Sequence, residues 1–159
     1  MAAGSTYTPI ATTTLGSATS SYTFSSIPST YTDIVLVVSV NRSTSGVDAI
    51  KVRINGDTGS NYSMTRLVNG SSDRTTGATY FDAPAFVDGS NTSNMIAHFM
   101  NYKSTSINKT ILIRGNTATF ATAATVGLWR STAAINSIEV FVSTMDTGTQ
   151  LTIYGIAAA

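Results

Sequence analysis

The chain has no cysteine, a single histidine and little charge of either sign, with eight carboxylates against nine Lys and Arg in 159 residues. Without thiols there is no disulfide, no thiolate nucleophile and no Cys-ligated zinc, and the redox compartment is left open. Formal net charge is +1, and the cations are scattered from Arg42 to Arg130. No stripe of them tracks a phosphate backbone, so nucleic acid is not expected as a partner. Long apolar runs are missing as well. The longest, Ile34 to Val38, is about a quarter of the roughly 20 residues that a membrane-spanning helix needs, so it reads as a strand and no membrane is expected. The N-terminus, Met-Ala-Ala-Gly-Ser-Thr, lacks a basic region followed by an apolar one, which predicts synthesis in the cytoplasm without secretion.

Ser and Thr fill the space that charge leaves, at roughly three residues in ten. Their hydroxyls suit turns and exposed strand faces, while Val, Ile, Tyr and Phe suit inward positions. Helical periodicity is nearly absent, and the best helical window, Ala118 to Thr125, is mostly Ala and Thr. Strand-like segments follow one another instead: Tyr7 to Thr14, Tyr22 to Ile27, Ile34 to Val40, Ala49 to Ile54, Met64 to Val68, Ala78 to Phe81, Asn94 to Tyr102, Lys109 to Arg114, Ser137 to Ser143 and Leu151 to Ile156. In Ala49 to Ile54 alternation is explicit. Ile50, Val52 and Ile54 point one way, to a core shared with Val140 and Val142, and Lys51 and Arg53 point to water. The separators are Ser45-Gly46, Asn55-Gly56-Asp57, Asn69-Gly70, Asp88-Gly89 and Asp146-Thr147-Gly148, with Asn55-Gly56 and Asn69-Gly70 carrying the type I′ hairpin signal. Eight to ten strands without βα alternation predict one all-β domain over residues 1–159, an antiparallel β-sandwich of jelly-roll topology with short terminal extensions.

Few side chains offer chemistry. His98 shares a strand face with Ile96, Met100 and Tyr102 and has no nucleophile motif beside it, so it reads as structural. Most Asp residues sit next to Gly, Ser or Thr and read as turn formers, with no pair singled out for glycoside hydrolysis. The segment Asn55 to Tyr62 carries enough oxygen donors to wrap a hard cation, yet its spacing is not that of an EF-hand, and it reads as a polar loop. Tyr62, Tyr80 and Trp129, the aromatics nearest to loops, are candidate glycan contacts. No enzyme, metal or cofactor is expected.

Two segments carry a family likeness. Tyr22-Thr23-Phe24-Ser25-Ser26-Ile27-Pro28-Ser29-Thr30-Tyr31-Thr32-Asp33-Ile34-Val35-Leu36-Val37, followed by Val52-Arg53-Ile54-Asn55-Gly56-Asp57-Thr58-Gly59-Ser60-Asn61-Tyr62-Ser63, resembles a pattern in small structural proteins of tailed bacteriophages. The ending Leu151-Thr152-Ile153-Tyr154-Gly155-Ile156 resembles their closing strand. The resemblance implies a non-enzymatic sandwich on the virion, made in the host cytoplasm, and carries over no binding residue. It implies either a capsid decoration (cement) protein, a homotrimer seated on the major capsid protein, or a tail-fibre, tail-tip or receptor-binding subunit that contacts a host surface glycan, and the shortness of the chain favours decoration. A surface this short of charge also suits a subunit covered by other protein.

Overall fold

The computed structural model describes residues 6–44, 46–87, 92–117 and 121–157. Among them the chain forms β1 (Tyr7–Thr14), β2 (Thr19–Phe24), β3 (Asp33–Val40), β4 (Asp48–Ile54), β5 (Tyr62–Val68), β6 (Ser71–Ala78), β7 (Phe81–Val87), β8 (Ser93–Phe99), β9 (Lys109–Thr117), β10 (Ala121–Trp129), β11 (Ile138–Met145) and β12 (Gln150–Ile156). Two antiparallel sheets result, a long one in the order β1-β12-β3-β8-β9-β10-β5-β6 and a short one in the order β2-β11-β4-β7. The β-sandwich read from the sequence is the observed fold.

Without the pairs β5–β6 and β9–β10, eight strands remain, four to a sheet, in the orders β1-β12-β3-β8 and β2-β11-β4-β7. The first strand lies beside the last and the second beside the last but one, so each sheet interleaves the two halves of the chain. This is the wrapped, double-Greek-key path of a jelly roll. The two additional pairs both extend the long sheet at the same side, beyond β8. Strand β7 of the short sheet covers the inner side of that extension, packing on β9, β10 and β5.

Alternation selects what is buried. Ile50, Val52, Ile54, Ile138 and Val140 of the short sheet meet Ile34, Leu36, Val38, Ile111, Ile113 and Ile153 of the long one, all fully buried, with Val142 nearly so. Lys51 and Arg53 face out, where Lys51 pairs with Asp48 at 2.8 Å and Arg53 with Glu139 at 2.7 Å. Two strand glycines are fixed by packing: a Cβ on Gly127 would lie 2.5 Å from the Phe81 ring, and one on Gly155 would run into the Tyr31 ring. Lys109 is buried at the start of β9, and its ammonium donates to the carbonyls of Ile107 at 2.8 Å and Thr132 at 3.2 Å, tying two loops together. Burial without a carboxylate partner lowers its pKa.

Three of the four edge strands, β1, β6 and β7, carry features that oppose pairing. Pro9 interrupts β1 at a register shift, Pro84 lies in β7, and β6 combines Asp73 and Arg74 with a positive-φ Gly77. Missing donors, bulges and charges are the usual means by which an edge avoids recruiting another strand.

Several local expectations are corrected. Ala78 to Phe81 is not a strand: Ala78 ends β6, Thr79 and Tyr80 bend, and Phe81 opens β7. The window Ala118 to Thr125 is strand β10 from Ala121 onward, its first three residues lying outside those described. Asn69-Gly70 does join a hairpin, β5 to β6, with φ of 49° and 87°. Asn55-Gly56 has the same backbone, at 51° and 64°. It joins β4 to β5, which lie in different sheets, and so is a crossover turn instead of a hairpin. Asp88-Gly89 lies outside the described residues.

Candidate functional site

Two of the three candidate glycan aromatics are core residues. Tyr62 is fully buried and Trp129 is 2% exposed, because both side chains point inward from the paired ends of β5 and β10. Neither has a face left for a sugar. Their polar atoms converge on the Asn55 to Tyr62 loop, where the Trp129 indole Nε1 donates to Asp57 Oδ2 at 2.7 Å. The Tyr62 hydroxyl accepts from the Ile54 amide and donates to the Asp57 carbonyl, each at 3.1 Å. Asn61 Nδ2 also donates to Asp57 Oδ2, at 2.9 Å, and the Gly59 amide to Oδ1, at 2.8 Å. Burial pushes the Asp57 carboxyl up, and the bonds from Trp129, Asn61 and Gly59 more than reverse it, leaving its pKa lowered. With its oxygens taken by N–H donors, Asp57 anchors a turn. Burial pushes the Tyr62 phenol up to about 12. Tyr80, the third candidate, is half-buried on the outer face of the short sheet, edge-on to Phe141. The three aromatics form no common surface.

His98 is held by Asp33, Nε2 to Oδ2 at 3.0 Å, and the other Asp33 oxygen accepts from the Asn101 amide at 2.7 Å. Its cross-strand neighbours are Val35 and Leu112, and neither is a nucleophile. The remaining described carboxylates are likewise held by their own chain. Asp73 and Asp82 both pair with Arg66, the latter at 2.7 Å, and Asp146 accepts from the Ser43 amide and hydroxyl at 2.6 Å each. Arg66 holds the Asp73 carboxyl below its usual range. No group of three or more His, Cys, Asp or Glu that would hold a metal ion occurs among the described residues.

The outer face of the long sheet is different. Asn94, Asn116 and Thr122 stand in register across β8, β9 and β10, and two residues further along Val37, Ile96, Arg114 and Ala124 stand in register across β3, β8, β9 and β10. Between these rows runs an open trough of about 420 Å³, with Val37 and Ile96 as apolar surface and Asn94, Arg114, Asn116 and Thr122 as polar lining. Past Thr122 and Ala123 it continues into a second hollow of about 260 Å³ bounded by Leu67, Asn69 and Gly70. Leu67, Leu112 and Val126 leave further apolar surface on this face, at 51%, 37% and 55% exposure. Arg114 makes no hydrogen bond or ion pair within the chain, and neither does Arg74 on the same face. An apolar hollow with a few convergent polar groups is the usual form of a ligand site. None of its residues was singled out in the sequence, because the trough exists only once four strands are paired in register.

No protein-family model and no curated protein matches this chain. Among solved structures, sheep galectin-11 in complex with glycerol is similar, with a TM-score of 0.37 and 12% identity over 84% of this chain and 98% of that one. A likeness of that degree assigns neither family nor function.

Proposed function

We propose that the chain is a non-enzymatic structural protein of a bacteriophage virion, a capsid decoration (cement) subunit that assembles as a homotrimer on the major capsid protein. The observation that carries this reading is the disposition of the reactive groups in the sandwich. Every described carboxylate and the single histidine is spent on its own chain's hydrogen bonds. That leaves the one acid–base pair, Asp33 and His98, without a nucleophile beside it on the neighbouring strands, which supports a scaffold role over hydrolysis. The likeness of Tyr22 to Val37 and Val52 to Ser63 to small phage proteins supports the virion assignment. Low charge, with three of the four edge strands protected, supports association through faces and loops.

The second reading is a tail-fibre, tail-tip or receptor-binding subunit built on the same sandwich, and the trough at Arg114 favours it. Proteomics of purified particles combined with immunogold labelling tests the pair. Label over the head is the expected result, and label confined to the tail replaces the first reading with the second. Light scattering of the purified chain tests the trimer, and a stable monomer at tens of micromolar that is also monomeric when bound to capsids contradicts it.

A further inference from the structure

We infer that the trough on the outer face of the long sheet binds an extended acidic saccharide, one whose sugar rings carry carboxylates. This goes beyond the virion reading and depends on neither head nor tail placement. The first argument is charge. All described carboxylates lie in loops or ion pairs away from the trough, and Arg114 stands in it with no partner of its own. The trough is therefore complementary to an anion, and a planar guanidinium suits a carboxylate in two-point contact.

The second argument is the mixture of groups. The side chains of Asn94, Asn116 and Thr122 have no hydrogen-bond partner within the chain, and together they present amide donors and acceptors and a hydroxyl. Sugar hydroxyls need both donors and acceptors, which an acid-binding patch of cations alone does not supply. Val37 and Ile96 give the C–H faces of the rings an apolar surface. The third argument is shape. The two hollows share Thr122 and Ala123 and run from β3 to β5. That is four strand spacings, about 20 Å, a length that suits several linked rings better than one small acid.

The test uses the purified full chain and defined probes: trigalacturonate and a disialoside as acidic saccharides, maltotriose as the neutral one, and triglutamate as an acidic peptide. Calorimetric titration is expected to show trigalacturonate or the disialoside binding at least about tenfold more tightly than maltotriose or triglutamate. Arg114→Ala is expected to weaken that binding about tenfold or more, and Asn116→Ala several-fold. Arg74→Ala, about 16 Å from Arg114 by strand spacing and outside the trough, should change it less than about twofold. Both arginines are exposed, and circular dichroism verifies that the variants fold. Arg114→Gln repeats the measurement if the alanine variant does not. No binding of either acidic saccharide at millimolar concentration overturns the inference, as does binding unchanged in the Arg114 variants. Triglutamate binding as tightly as the saccharides also overturns it and points to an acidic protein surface instead. Because the assay needs no particle, its failure is separate from any failure of the virion reading.

Discussion

Replacing Gly127 by alanine probes the packing between the extended sheet and its cover. The added Cβ would lie 2.5 Å from Cε1 and 2.8 Å from Cδ1 of Phe81, so the ring must move by about an ångström to restore ordinary contact. Phe81 is fully buried, and its ring stands edge-on to Tyr62 with centroids 4.9 Å apart. Tyr62 is held in turn by its bonds to Ile54 and Asp57. The displacement therefore meets a fixed neighbour, and overpacking of this kind costs about 1 to 3 kcal/mol. Opposing it, alanine restricts the unfolded chain and returns about 0.4 to 1 kcal/mol, since Gly127 does not occupy a positive-φ conformation. A net loss of about 1 to 2 kcal/mol follows, a fall in Tm of about 2 to 8 °C at this chain length. Urea denaturation measures it, and Phe81→Ala supplies the control. In that background the clash is gone and only the backbone contribution remains, so Gly127→Ala should be neutral or slightly stabilising. An equal loss in both backgrounds, or no loss in the wild type, refutes the reasoning.

Other outcomes follow from the same contacts. Ile54→Ala, at a fully buried position, is expected to cost about 2 to 5 kcal/mol against about 0.5 for Lys51→Ala, and equal losses in urea contradict the register of β4. Asp57→Ala leaves the Trp129 indole N–H buried without an acceptor and should cost about 1 to 3 kcal/mol, with a shift in the emission of the chain's single tryptophan; unchanged emission and stability contradict the role of Asp57 as the anchor of that turn. For Tyr62, the folded pKa of about 12 lies above the ordinary 10.0, so its contribution is fully present below pH 10 and is lost as pH rises towards 12. The urea midpoint should fall across that window, less so in Tyr62→Phe, and a midpoint flat to pH 12 contradicts it.

Much of the sandwich was legible because alternation is a strong signal where large aliphatics sit on one face, as in Ile50, Val52 and Ile54. Strand β6, Ser-Ser-Asp-Arg-Thr-Thr-Gly-Ala, carries no large apolar residue; as an edge strand it is held by the β5 ladder, and hydropathy does not reveal it. Strand β10 hid behind Ala and Thr, which give little hydropathic alternation, and behind Gly127, where the Phe81 ring leaves no room for a side chain. Proximity to loops misassigned Tyr62 and Trp129, since residues at a strand's end still obey its alternation and here turn inward. The Arg114 trough was illegible for another reason. Its polar groups come from three strands, β8, β9 and β10, spread between Asn94 and Thr122, and only the pairing register brings them side by side.

The central proposal, a structural subunit of a virion, is tested most directly by cryo-electron microscopy of phage particles produced with the gene for this chain present. Fitting the jelly roll into the map should place trimers of it over the head, seated on the major capsid protein. Particles whose heads and tails contain no density for the sandwich, with the chain absent from their protein content, would contradict the account.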